Sequence, residues 1–156
     1  MFSLIAAIGK NRELGNQGDL VFHFKEDMRF FRETTLHHKV IMGRKTWESL
    51  PGKLKDRTNI VISRHAIDGA DESISDIPAF IAAHQDTEEE IFIIGGGSIY
   101  AEFLPYAKHL YLTEIDASAP ADTLFPDFDK SKYSKEILKK GSENGLDFSI
   151  VRYTKN

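Results

Sequence analysis

The chain of 156 residues has no cysteine, which excludes disulfides, thiolate metal sites and a cysteine nucleophile. That composition suits a reducing cytosol, so a cytoplasmic location is the expectation. The chain also lacks an apolar run of membrane-spanning length. The N-terminal run Phe2-Ser3-Leu4-Ile5-Ala6-Ala7-Ile8 falls well short of the roughly 20 residues a helix needs to cross a bilayer. With no basic leader and no small-residue cleavage site behind it, this run reads as a buried strand and not as a signal peptide. An excess of positive charge is missing too. A net charge of −4 argues against a nucleic-acid surface, so neither nucleic acid nor membrane is expected as a partner. Any anionic ligand must then be met by particular Arg and Lys residues.

Other absences bound the organisation. No internal repeat, low-complexity tract or Pro/Gly-rich linker divides the chain, so residues 1–156 are expected to form one domain. Glu88-Glu89-Glu90 reads as a solvated turn. The six His residues include no pair at metal-ligand helical spacing, and His37-His38 cannot face one ion together on a helix, so no metal is assigned. Without a Gly-x-Ser-x-Gly elbow, nucleophilic hydrolase chemistry has no support.

What the chain does hold is a core: 41% hydrophobic residues with 11 Phe, in a length that buries roughly two-thirds of its unfolded surface. Short apolar runs at 2–8, 39–42, 59–62 and 91–94 read as buried strands. Helical patterns lie between them at 25–35, 46–50, 77–84 and 98–104, with Asp76 before Ile77 and Pro78 in the first turn as a helix start. After Pro105 the pattern changes. Residues 110–115 alternate, and 133–139 and 148–153 read as two strands around a turn signal at Gly141 to Gly145. Strand–helix units followed by an antiparallel end imply an α/β fold, a mostly parallel twisted sheet with helices on both faces and an antiparallel C-terminal edge. Ligands of such sheets sit beyond the carboxyl ends of the strands, which directs attention to 9–23, 43–47, 63–65, 95–98 and the stretch after Ile115.

The helix at 25–35 carries the most informative residue. At about 100° per residue, Lys25, Glu26, Arg29, Arg32 and Glu33 share one polar arc, and Phe24, Met28, Phe30 and Phe31 occupy the rest. Asp27 falls between Phe30 and Phe31, the one charge directed toward the interior. Two readings are open. An acid in the first helical turn favours the positive end of the helix dipole. Alternatively, a carboxylate among Phe side chains needs partners, and a ligand edge with paired N–H donors would give it two parallel hydrogen bonds.

Three strand ends carry glycine or cations. Gly95-Gly96-Gly97-Ser98 follows a strand and opens a helix, where backbone N–H groups can meet a pyrophosphate. It does not complete a dinucleotide fingerprint, since Tyr100 stands at the last glycine position. Gly43-Arg44-Lys45-Thr46 and Ser63-Arg64-His65 repeat the arrangement, and together they suit one extended anionic ligand. Arg44 and Arg64 could both reach a 2′-phosphate, which favours NADP over NAD. Arg57 is either a surface cation or a fork for a substrate carboxylate.

Taken together these residues resemble the dihydrofolate reductase family, from Phe2 to Tyr153. The likeness rests on Ser3-Leu4-Ile5-Ala6-Ala7, on the run from Val40 through Met42-Gly43-Arg44-Lys45-Thr46-Trp47 to Leu50, and on Ile93-Ile94-Gly95-Gly96-Gly97-Ser98-Ile99-Tyr100. Leu110-Tyr111-Leu112-Thr113 and Ala121-Asp122-Thr123-Leu124-Phe125-Pro126 complete it. The resemblance implies a central eight-stranded sheet, four flanking helices and a cleft between two subdomains. It implies NADPH-dependent reduction of dihydrofolate, by hydride transfer to C6 and protonation at N5, in an enzyme open to antifolates such as methotrexate and trimethoprim; with no surface stripe in the sequence that demands a partner, a monomer is expected. By the same implication Asp27, Phe22 and Thr113 belong to the catalytic centre. Ile5, Ala6, Met28, Phe31, Leu50, Arg57 and Ile94 contact the substrate, Arg57 through the glutamate α-carboxylate. Ala7, Leu14, Ile94 and Tyr100 border the nicotinamide. Gly43, Lys45, Thr46, Gly95, Gly96, Gly97, Ser98 and Ile99 approach the cofactor, with a cis peptide at Gly95-Gly96, and Arg44, Ser63 and Arg64 take the adenosine phosphate.

The chain departs from the family beside the nicotinamide. Leu20-Val21-Phe22 stands where Leu-Pro-Trp is usual, and Lys25 where the next helix usually has Pro. Phe22 keeps a ring without the indole N–H, and Val21 leaves the loop backbone freer, so loop closure and turnover are what these changes affect. Two rival readings share the motifs: a reductase of the same fold acting on a ribosylated pyrimidine, and a non-catalytic pterin- or nucleotide-binding protein. The pairing of Asp27 with Arg57 favours folate.

Overall fold

Successive strand residues point to opposite sides of a sheet, so each apolar run supplies side chains to two layers at once. A computed structural model describes residues 1–17 and 19–156, the side chain of Asp19 apart; Gly18, in the stretch marked for chemistry at 9–23, lies outside the described residues. In chain order the first elements are β1 (Phe2–Ile8), β2 (Glu13–Asn16), β3 (Asp19–Leu20), α1 (Lys25–Thr35), β4 (Lys39–Gly43), α2 (Arg44–Ser49) and β5 (Thr58–Ile62). They are followed by β6 (Glu72–Ile74), α3 (Ile77–His84), β7 (Ile91–Gly95), α4 (Gly97–Phe103), β8 (Ala107–Ile115), β9 (Thr123–Leu124), β10 (Tyr133–Glu143) and β11 (Leu146–Lys155).

Eight strands form one sheet in the order β10-β11-β8-β1-β7-β4-β5-β6. From β8 to β6 every neighbouring pair is parallel, and the C-terminal β10–β11 hairpin is antiparallel. The α/β class, the mostly parallel sheet with its antiparallel edge and the four helices are therefore as expected. On one face Ile5, Val40, Met42, Val61, Phe92 and Tyr111 pack under Phe30 and Phe31 of α1 and Trp47 of α2. On the other, Phe2, Leu4, Ile41, Ile60, Ile91 and Ile93 pack with Ile81 of α3 and Ile99, Tyr100 and Phe103 of α4. Neighbours in one strand thus belong to different layers.

Several boundaries differ from the sequence expectation. Helix α2 begins at Arg44, not Thr46, with Gly43 as its extended N-cap, so Arg44 and Lys45 stand in its first turn. The α3 start is as read: the Asp76 side chain accepts the Ala79 N–H at 3.0 Å. Strands β10 and β11 run longer than expected and meet at Asn144-Gly145, both with positive φ (55° and 76°), the backbone of a tight hairpin. Gly141, read as part of the turn, lies inside β10, where a Cβ would come within 2.7 Å of the Phe148 ring. The short strands β2, β3, β6 and β9 had no sequence signal. Glu90 is not a solvated turn residue. It is half-buried and accepts the hydroxyl of the fully buried Ser3 at 2.6 Å, because the start of β1 lies beside β7 and brings the two together.

Candidate active site

Helix α1 opens at Phe24, an extended N-cap that offers no side-chain cap. Asp27 is the third residue of the helix, turned toward the sheet. Its Oδ1 accepts the Thr113 hydroxyl at 2.5 Å. Thr113 is buried on β8, where it pairs with Ala7 of β1. Burial pushes the Asp27 carboxyl above its usual range; the Thr113 hydrogen bond works against that shift and the charge of Glu143 adds to it. Among the described residues the carboxylate thus has a single hydroxyl as its hydrogen-bond partner, beside apolar rings. A ligand bringing N–H donors would supply what burial has removed.

The apolar residues expected around Asp27 divide between layers. Ile5, Phe31, Leu50 and Ile94 belong to the cluster under α1 and α2. Ala7 and Phe22 pack with Phe24, Phe148 and Ile150, the Phe22 and Phe24 rings lying 6.3 Å apart and Phe24 and Phe148 5.7 Å. Ala6, Leu14, Ile99 and Tyr100 pack with the cluster on the opposite side; for Ala6 this follows from strand alternation. Tyr100 reaches back through the strand ends, its hydroxyl donating to the Ile5 carbonyl at 2.7 Å. Burial, and after it the Asp27 charge, push its phenol far up, so it stays a donor. Met28 departs from the apolar arc: it is 61% exposed, one residue beyond Asp27, and presents an apolar chain to solvent.

Arg57 stands at one end of this arrangement. It donates from Nε to the Lys55 carbonyl at 2.9 Å and from Nη1 to the buried Thr35 hydroxyl at 3.2 Å. Its guanidinium carbon lies 6.0 Å from the centre of the Phe31 ring. Two nitrogens are held by the protein, so the fork is oriented before any ligand arrives. It borders a cavity of about 680 Å³ shared with Arg32, Leu36, Lys53 and Lys55, a place with the charge to receive a carboxylate.

At the carboxyl ends of β4, β5 and β7 the expected phosphate residues come together. Arg44 follows β4 and pairs with Glu48 at 2.9 Å. Ser63 and Arg64 follow the neighbouring β5 and line a cavity of about 330 Å³ together with His65. Gly95 ends β7 and is joined to Gly96 by a cis peptide. A Cβ on either would meet the Thr46 hydroxyl, at 3.3 Å from Gly95 and 3.6 Å from Gly96, and one on Gly97 would lie 2.8 Å from Thr123. Thr46, the glycines and β9 therefore form one close-packed wall, with the exposed Arg44, Lys45 and Arg64 around it. Among the described residues no group of three or more His, Asp or Glu is placed to hold a metal ion, and no helix is long and apolar enough to cross a membrane.

The structure adds residues that local sequence patterns do not reveal. Glu13 is buried and accepts the N–H of Asn11 at 2.6 Å and of Ala119 at 2.8 Å. Burial raises its carboxyl, but the hydrogen bonds from Ala119, Asn11 and Ser118 outweigh that and leave it below the ordinary range. Asp122 accepts the Gln17 N–H at 2.8 Å, and its own N–H donates to the Gly15 carbonyl. These contacts fasten the segment after β1 to the segment after β8. Glu143, at the end of β10, accepts the first two N–H groups of α1, from Lys25 at 2.7 Å and Glu26 at 3.2 Å. Asn11 apart, the partners lie more than 100 residues away in the chain, which is why no local pattern marks them.

A parallel sheet whose strand ends carry cations and close-packed glycines, beside a helix that turns a carboxylate inward, defines an α/β protein with an arrangement that suits an extended anionic ligand next to a second, N–H-rich one. The comparisons narrow this class. The family model for dihydrofolate reductase matches residues 1–155, and the chain belongs to the dihydrofolate reductase family. It is 40% identical over 157 residues to the dihydrofolate reductase of Neisseria meningitidis, covering 97% of this chain and 96% of that one. It is 35% identical over 164 residues to that of Bacillus subtilis, covering 99% and 95%. Among solved structures, the dihydrofolate reductase of Enterococcus faecalis complexed with NADP(H) and RAB-propyl superposes with a TM-score of 0.89 at 27% identity, covering 100% of this chain and 96% of that one.

Proposed function

We propose that the chain reduces 7,8-dihydrofolate to 5,6,7,8-tetrahydrofolate with NADPH. The observation that carries this reading is Asp27, a carboxylate turned into an apolar site with one hydroxyl, Thr113, as its partner at 2.5 Å. Ionised, it accepts two parallel hydrogen bonds from the 2-amino group and N3 of the pterin, an amidine-like edge matched to a carboxylate as a guanidinium is. Thr113 orients the carboxylate by holding Oδ1. Ile5, Phe31, Leu50 and Ile94 supply the apolar walls, Met28 covers the ring from α1, and Arg57 takes the glutamate α-carboxylate. No acid other than Asp27 shares its apolar arc, so the proton for N5 comes from water.

The residues present fit NADPH. The close packing of Thr46 against Gly95 and Gly96 supports an approach of backbone N–H groups to phosphates, and the strand-end positions of Arg44 and Lys45 in the first turn of α2, and of Ser63 and Arg64 after β5, support a set of cations and donors for a 2′-phosphate and its neighbours. When bound, NADPH supplies a hydride from the nicotinamide C4. Ala7, Leu14, Ile94 and Tyr100 border that ring, and Phe22, packed on Phe24, shields it from water without donating a hydrogen bond.

The test is the loss of NADPH absorbance at 340 nm with dihydrofolate, with and without methotrexate. Methotrexate-sensitive turnover is expected. Asp27→Asn is expected to leave folding and NADPH binding intact and to cut turnover by on the order of a hundredfold or more, within the range of acid–base and orienting effects. Near-normal turnover of that variant at neutral pH would refute the role of Asp27. NADPH binding without turnover in the parent chain would turn the reading toward a different, pyrimidine substrate.

A further inference from the structure

Helix α1 starts without help from its own sequence. Phe24 stands at the N-cap and has no side chain able to accept a hydrogen bond, yet the first N–H groups of a helix have no partner within it. The missing acceptor comes from the far end of the chain. Glu143 places Oε2 on the Lys25 N–H at 2.7 Å and Oε1 on the Glu26 N–H at 3.2 Å, across separations of 118 and 117 residues. The same strand holds the helix a second time, through Lys139 Nζ and Glu26 Oε2 at 2.6 Å. A third contact comes from β11, whose Phe148 ring packs 5.7 Å from that of Phe24.

The departure at position 25 makes this arrangement possible. A proline at the first helical position has no N–H and needs no acceptor. Lys25 presents one, and Glu143 receives it. The two oxygens of one carboxylate then span two consecutive N–H groups immediately before Asp27, so the hairpin decides where the first turn of α1 sits. Resting on the reading of Asp27 as the pterin-holding carboxylate, we infer that Glu143 is the positioning residue of this active site: it caps α1 from the β10–β11 hairpin, fixes the place of Asp27 opposite Thr113, and brings a second carboxylate to the helical turn that carries Asp27.

Two effects of opposite sense meet in this one side chain. The cap favours the geometry in which Asp27 meets the substrate. The charge disfavours ionisation of Asp27, which burial already opposes and the Thr113 hydrogen bond promotes. The other charged or titratable groups around Asp27 are few. On its own helix Glu26 is paired with Lys139 and lies near Arg29. From α4 the Tyr100 phenol feels the Asp27 charge and stays protonated. From β8 comes the uncharged Thr113, and Ala7 of β1 and the rings of Phe22 and Phe24 carry no charge. Among the described residues, Glu143 is therefore a group through which the charge near Asp27 can be changed without touching the pocket.

Two substitutions separate the effects. Glu143→Gln keeps an acceptor oxygen and removes the charge; Glu143→Ala removes both. In the ligand-free protein the Asp27 carboxyl, followed by carbon-13 NMR, should titrate at lower pH in Glu143→Gln than in the parent chain. An unchanged midpoint overturns the inference, and since this readout needs no turnover, it stands apart from the test of the enzymatic reading by Asp27→Asn. In steady-state kinetics Glu143→Ala should raise KM for dihydrofolate about three- to tenfold, the range a lost cap is worth, with KM for NADPH unchanged. The effect should shrink in a Lys25→Pro background, where one of the two capped N–H groups no longer exists. Equal effects of Glu143→Ala in both backgrounds, or a lowered melting temperature with KM unmoved, would mean that Glu143 serves the fold alone and would overturn the inference.

Discussion

At the scale of single residues the site concentrates its cost in Asp27. A carboxyl that burial holds above its unfolded value of about 3.8 binds its proton more readily in the folded chain than in the unfolded one. Stability therefore falls as pH rises through the window between the two values, and stays reduced above it. Asparagine keeps an oxygen for the Thr113 hydroxyl and carries no charge to desolvate. Asp27→Asn should then raise the melting temperature of the ligand-free protein at pH 7 by about 2–4 °C, the change that roughly 1 kcal/mol makes in a domain of this size, and by less at pH 3. Thermal unfolding at the two pH values checks this, and a gain no larger at pH 7 than at pH 3 would count against it. The same substitution is the one expected to abolish efficient turnover, so the acid is retained at the expense of stability. Its direction was legible in the sequence because helical spacing alone puts it between Phe30 and Phe31. Thr113 became its partner only when β8 was laid beside β1.

At the scale of elements, the segment after β1 is held by acceptors rather than by a strong strand pattern. Glu13 uses both carboxylate oxygens to join Asn11 on its own segment to Ala119 on the segment after β8. Its carboxyl lies below the ordinary range because these hydrogen bonds outweigh burial. A group of that kind contributes stability above its unfolded value, near 4.5, and the contribution is lost as pH falls through the folded value. Glu13→Gln should lower stability at pH 7 by about 1–3 kcal/mol, the cost of weakening buried, charge-assisted hydrogen bonds, and should lose less further stability between pH 6 and pH 3 than the parent does. Urea titrations across that range measure both quantities. A variant as stable as the parent at pH 7 would show that the segment is held by Asp122 and the β2–β9 pairing instead.

At the scale of the whole molecule, the order of strands gathers what the chain disperses. Arg44 and Arg64 are separated by a helix and a loop, yet β4 and β5 are parallel neighbours with Gly43 beside Ile62, so both cations emerge at one edge. If they receive the 2′-phosphate, replacing both with alanine should reduce the preference for NADPH over NADH, measured as the ratio of kcat/KM values, by on the order of tenfold or more, since hydrogen bonds to a charged group are worth about 1.5–3 kcal/mol. An unchanged ratio would place the phosphate elsewhere. Arg57 lies at the opposite end of the site, held at Lys55 and Thr35, so substrate and cofactor charges are met at separate places.

The sequence alone determined the long strands, the layers they feed and the inward carboxylate, because alternation along a strand and the turn of a helix are local periodicities that burial enforces residue by residue. It also carried the glycine and basic residues of three strand ends in motifs specific enough to identify the family. Only the tertiary structure decided what completes the site. The strands β2, β3 and β9 are two to four residues long, too short for any period to register, and exist because they pair with one another. Glu90 finds Ser3, Glu13 finds Ala119 and Glu143 finds Lys25 at separations of 87, 106 and 118 residues. A carboxylate looks the same in the chain whether it will face solvent or accept two buried N–H groups; the arrangement of strands, which closes those long loops, is what chooses its partner.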